Sequence, residues 1–146
     1  GFPTLIYLIN QIIHKYKSKG LTIQLFEIPI YDSRICFIRY ENNKSYDKAV
    51  DWLESIGLKD ETYKTDEYRY AYGFTDKQKT NYGIIHLVFM NNCKEYKPTY
   101  KNTLAHENFH LVHNICKHHG IDFLEDNANE PYAYLTGYLF DTLFTI

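Results

Sequence analysis

The chain has 146 residues, 45% of them hydrophobic, a length and apolar content that suit one domain with its own core. Its formal net charge of -2 and pI near 6.4 give no electrostatic reason to expect nucleic acid or an anionic membrane as partner. No stretch approaches the roughly 18 apolar residues of a membrane span.

The apolar run from Phe2 to Ile13 is broken by Asn10 and Gln11 and has no basic flank before it, so it does not read as a signal peptide. The chain opens on Gly1 rather than Met, as a processed or trimmed N-terminus would. Leu5, Ile6, Leu8, Ile9, Ile12, Ile13 and Tyr16 recur at helical spacing after Pro3, with Gly20 placed to stop the helix. His14 then falls on a helix ending in Lys15, Lys17 and Lys19 and is expected in solvent. From Leu21 to Tyr40 the β-branched and aromatic content rises, predicting two strands broken at Tyr31-Asp32-Ser33. Pro29 cannot donate to a ladder, which predicts an edge or a bend there.

Ser45 to Ile56 predicts a helix with Ala49, Val50, Trp52, Leu53 and Ile56 turned inward and Gly57 closing it. A polar connector follows from Lys59 to Glu67. Tyr68, Tyr70 and Tyr72 alternate with Arg69 and Ala71 as in a strand. Gly83 to Met90 gives the strongest strand pattern in the chain, and Thr75 to Asn81 between them fits a hairpin loop. His86 shares a strand face with Ile84, Val88 and Met90, the pattern of a buried, hydrogen-bonded histidine; a donor to a reacting oxyanion is the alternative. A helix is expected from about Thr99 or Asn102 to His118, capped by Gly120. Asp122 to Ala128 reads as acidic loop. A last helix starts at Glu130-Pro131, where the missing N–H of proline is harmless. Together these elements predict an α+β fold with a small, mainly antiparallel sheet and packed helices.

The chemistry concentrates in Thr103-Leu104-Ala105-His106-Glu107-Asn108-Phe109-His110-Leu111. Histidines four apart project from one helix face on consecutive turns, close enough to bind one ion. Glu107 lies about 100° round the helix, placed to act as a general base without binding the ion. Leu104, Phe109, Leu111, Val112 and Ile115 supply apolar faces. A catalytic zinc site takes three protein ligands and keeps one position open. Glu130 is the preferred third ligand, with Asp122, Glu125 and Asp126 as rivals whose bland role is compensation of a helix dipole. His113 shares the face of His106 and His110, but three residues on along a straight helix it closes a tetrahedron poorly. It is read as a neighbour of the ligands or as solvent-facing. His118 and His119 suit the negative end of the helix dipole. Cys36, Cys93 and Cys116 are spaced like no thiolate zinc motif and read as free thiols of a reducing compartment, which points to the cytoplasm.

His106-Glu107-x-x-His110, followed by Asn129-Glu130 at the start of a second helix, resembles the gluzincin zinc metallopeptidases, the thermolysin-like ones included. The run from Thr103 to Leu143 also looks like small single-domain zinc-peptidase-like proteins encoded by phages. The resemblance implies a zincin-like fold, Zn²⁺ bound by His106, His110 and Glu130, and hydrolysis of a peptide or protein substrate with Glu107 as general base. It also implies that the strand from Gly83 to Met90 lies at the cleft rim and holds an extended peptide. In the thermolysin-like pattern an acid one turn after the glutamate ligand orients the first histidine; here that position is Tyr134, a weaker anchor. From another class, a binding or structural module that keeps the framework without hydrolysis, and a zinc hydrolase of non-peptide amides, fit the same residues.

Overall fold

The computed structural model describes residues 11–28, 32–121 and 129–146. Five strands form one mixed sheet: β1 (Gln11–Ser18), β2 (Leu21–Ile28), β3 (Ser33–Tyr40), β4 (Gly73–Thr80) and β5 (Gly83–Asn91), in the order β1-β2-β3-β5-β4. Only β3 and β5 pair in parallel; the other neighbours are antiparallel. Between β3 and β4 the chain forms α1 (Asn43–Ser55), a 3-10 turn (Glu61–Lys64) and the short α2 (Asp66–Arg69). After β5 come a 3-10 turn (Lys97–Thr99), α3 (Tyr100–His118) and α4 (Asn129–Phe144). The expected α+β class is therefore met. Among the described residues no helix is long and apolar enough to cross a membrane.

Both faces of the sheet are covered, which is why β3 and β5 read as nearly unbroken apolar runs rather than alternating ones. One face, with Cys36, Ile38, Tyr40, Ile85, Leu87 and Phe89, packs on Ala49, Val50 and Leu53 of α1. The other, with Ile35, Phe37, Val88 and Met90, packs on α3 and α4. The abundance of tyrosine finds its explanation on the α1 side. Phe89 stacks on Phe74 at 4.5 Å and lies against Tyr46 and Tyr63. Their hydroxyls reach acceptors: Tyr40 bonds the Arg69 carbonyl, Tyr46 the Tyr63 carbonyl, and Tyr63 the carboxylate of Asp76. A phenol can thus be buried at the margin of a core when its tip meets backbone or a carboxylate.

Four expectations are corrected. Residues 11–18 form a strand, not the end of a helix: Ile12 and Ile13 are β-branched, and pairing with β2 overrides a periodicity too short to decide between the two forms. The remainder of that expected helix, residues 1–10, lies outside the described residues, as does Pro29. His14 is half-buried and stacks on Trp52 at 5.0 Å rather than standing in solvent. The fourth strand begins at Gly73, so the expected loop from Thr75 to Asn81 is mostly β4, and Arg69 to Tyr72 is helix end and turn. Its polar sequence suits an edge strand, where exposed charge blocks pairing with other chains. β5, expected at the rim, is internal; among the described residues β4 is the edge beside α3.

Gly73 permits that approach. A Cβ there would stand 2.9 Å from the Phe89 carbonyl oxygen and 3.1 Å from Thr103 Cγ2, so only glycine lets the edge strand close against α3. Replacing Phe89 by Ala should remove about 3–5 kcal/mol of stability, read by urea unfolding, because its ring closes the aromatic cluster from several sides.

Candidate metal centre on the third helix

α3 is rotated by its apolar stripe. Leu104, Leu111, Val112 and Ile115 are buried against the sheet and α4, which leaves His106, His110 and His113 on the exposed side. Phe109, read from sequence as part of an apolar face, is 55% exposed beside the histidines. The two expected ligands converge: His106 Nε2 and His110 Nε2 lie 3.1 Å apart. Without an ion, one ring must donate an N–H to the other. Two nitrogens binding one zinc at about 2.0–2.1 Å with tetrahedral angles would be separated by about 3.3 Å. The pair therefore fits a shared divalent cation after an opening of a few tenths of an ångström.

Glu107 turns the other way, toward β4, and only 8% of its side chain is exposed. Thr75 Oγ1 donates to Glu107 Oε1 at 2.8 Å, while Oε2 stays 3.9 Å from His106 Nε2. One oxygen is thus anchored on the edge strand and the other lies on the His106 side. Fixing a carboxylate in this way restricts its rotamers and directs its free lone pairs toward the place where a reacting water would sit. Thr75 was missed from sequence because it fell in the stretch assigned to a loop.

Asn108, between the motif's fixed positions, is 1% exposed and donates from Nδ2 to the Thr136 carbonyl of α4 at 2.9 Å. The helices run antiparallel: Lys101 Nζ lies over the Phe144 ring at 5.4 Å, and the Cys116 thiol bonds to Tyr132. This register sets the first turn of α4 beside the last turns of α3. Glu130 is exposed in that first turn. The structure brings His106, Glu107 and His110 together. Among the described residues no three His, Cys, Asp or Glu side chains form a cation-binding group. Asp122, Glu125 and Asp126 lie outside the described residues. Tyr134 is half-buried on α4, and His113 is exposed one turn beyond the pair.

His86 is buried, as expected, but against the far end of α3, its ring 6.2 Å from that of His118. That location removes it from the motif's reacting zone, and its Nδ1 has no hydrogen-bond partner among the described residues. Burial, followed by the nearby charges of His118, Lys77 and His119, lowers its pKa to about 4. His119 meets Ser33 Oγ at 3.2 Å. The three cysteines are free thiols, and burial raises Cys116 to about 11 and Cys36 further, which makes neither a ready nucleophile.

No family model, curated protein or solved structure matches this chain. The site is therefore interpreted from its own geometry.

Between an ordinary imidazole pKa of about 6.5 and the value near 4 in the folded chain, the unfolded state binds a proton at His86 that the folded state refuses. Stability should fall as pH drops through this window, by up to about 1.4 kcal/mol per pH unit. Urea unfolding between pH 7 and 4 should record that slope, and His86→Leu should flatten it.

Proposed function

We propose that the protein is a zinc-dependent peptidase of the gluzincin kind, with a zincin-like relation between its edge strand and its motif helix. The observation that carries the proposal is the placement of Glu107, held by Thr75 with its second oxygen 3.9 Å from His106 Nε2, itself 3.1 Å from His110 Nε2. His106 and His110 would hold the metal through Nε2. Glu130 is the carboxylate offered for the third place, against the unassigned alternatives Asp122, Glu125 and Asp126. Bound zinc would polarise the scissile carbonyl and make water a better nucleophile at neutral pH.

The chain's own residues carry the remaining work. Glu107 takes a proton from the attacking water and returns it to the leaving amine, with Oε2 as the working oxygen because Oε1 is occupied by Thr75. β4 borders the groove as a sheet edge, and an extended peptide can add to such an edge through main-chain hydrogen bonds. The exposed ring of Phe109, 6.0 Å from that of His110, offers an apolar contact on the solvent side.

A second reading, a module that retains the motif helix without hydrolysis, draws on one observation, that among the described residues no three His, Cys, Asp or Glu side chains form a cation-binding group. The two readings part in a simple assay. Glu107→Gln should keep zinc uptake at the wild-type level and abolish cleavage of a random peptide library; cleavage persisting in that variant contradicts the assignment. Thr75→Val should also keep zinc but lower kcat by about tenfold with little change in KM, since it frees the general base from its anchor.

A further inference from the structure

Between β4 and α3 lies a cavity of about 520 Å³, lined by Thr75, Asp76, Lys77, Asn114, Lys117 and His118. Because Thr75 anchors Glu107, the cavity opens beside the general base and extends toward the C-terminal end of α3. Its formal charge is positive on balance, two lysines against one carboxylate. Lys77 and Lys117 are exposed, and neither forms an ion pair among the described residues. Asp76 lies in the wall, but its oxygens are engaged by the Tyr63 hydroxyl, Gln78 Nε2 and the Lys77 backbone N–H.

A second observation concerns the neighbouring layer. His86 is the β5 partner of Lys77 in the ladder, is 1% exposed, and has an Nδ1 with no hydrogen-bond partner among the described residues. Its ring lies edge-to-face with that of His118, a residue of the cavity wall. A buried polar atom left unpaired calls for an explanation, though His86 stands behind His118 and is not itself part of the cavity lining. Lys117 and His118 also answer the negative end of the α3 dipole. Lys77 comes from β4 and has no such task.

We propose that this cavity is an anion subsite of the groove, taking a substrate carboxylate through Lys77, Lys117 and His118. The carboxylate comes either from an Asp or Glu side chain or from a free C-terminus. The inference deepens the peptidase reading, and only the cleavage arm of its test rests on that reading. Asn114 and His118 lie about two to three helical turns beyond Glu107, roughly 10–16 Å. At about 3.3 Å per residue of extended chain, the carboxylate sits about three to five residues from the cleaved bond.

The test uses the full chain and one fluorescently labelled peptide series: C-terminally amidated peptides with Glu or Gln stepped along the sequence, and the all-Gln peptide with a free C-terminus. Anisotropy with the Glu107→Gln variant measures binding, and cleavage by the wild type measures turnover. With Glu, or with the free terminus, at the matching distance, binding should be about tenfold tighter than for the neutral peptide, the gain expected of two partly exposed ion pairs. The gain should shrink with added salt and vanish in Lys77→Ala/Lys117→Ala, while the neutral peptide binds that variant unchanged. Lys77→Arg/Lys117→Arg should retain it. Which arm carries the gain identifies the source of the carboxylate. Equal affinity for charged and neutral peptides, a preference that survives in the double Ala variant, or no saturable binding at all overturns the subsite. Failure of cleavage alone, with the charge preference intact, overturns the peptidase reading and leaves the subsite standing.

Discussion

The rotation of α3 about its own axis decides what its motif can do, and that rotation is fixed by burial. Leu104, Leu111, Val112 and Ile115 go beneath the surface with Val88 and Met90 of β5 and with α4. At about 1.5–3 kcal/mol for each large side chain buried, this stripe outweighs any single polar contact of the helix, which contributes about 1 kcal/mol. With the stripe inward, the 3.6-residue period leaves His106 and His110 outward and turns Glu107 sideways to the sheet edge. The Thr75 hydrogen bond then selects one carboxylate rotamer from those the rotation already allows.

The edge strand carries the other half of the arrangement. β4 is polar along most of its length, with Lys77 and Lys79 exposed, and its residues divide between the two layers. Phe74 enters the aromatic cluster on the α1 side, while Thr75 reaches Glu107 on the α3 side. A strand with charged, solvent-facing side chains resists pairing with copies of itself yet keeps its free backbone groups for a chosen partner. The closeness of β4 to α3 follows from Gly73, and the groove is shaped by the same contact.

The parts of this fold legible in the sequence were those where period and punctuation agree. α1, with Asn42 capping Ser45 and Gly57 in the left-handed region, follows its apolar spacing. α3 and α4 start and stop within a few residues of expectation, and β2, β3 and β5 carry β-branched runs. What escaped was determined by partners distant in sequence. β1 shows apolar residues at spacings that suit either a helix or a strand, and only pairing with β2 resolves them. β4 has a single large apolar residue, Phe74, so its strand form depends on β5 beside it. At the site, the approach of His106 to His110 could be foreseen from helix geometry alone. Thr75 and the basic cavity could not, since they arise where a strand edge meets a helix, and the sequence holds no local sign of that meeting. The position of Glu130 likewise depends on how α4 slides along α3, which is set by Asn108–Thr136 and Cys116–Tyr132 contacts rather than by spacing.

The central claim is that His106 and His110 bracket a divalent cation beside an anchored Glu107. The most direct measurement is a crystal of the protein grown with zinc, with anomalous scattering recorded on both sides of the zinc absorption edge. The account predicts one strong peak about 2.0–2.1 Å from His106 Nε2 and His110 Nε2, with a carboxylate completing the protein ligands and one position left to solvent. A map with no peak at the two histidines, or with a peak whose fourth position is closed by a further protein side chain, would contradict it.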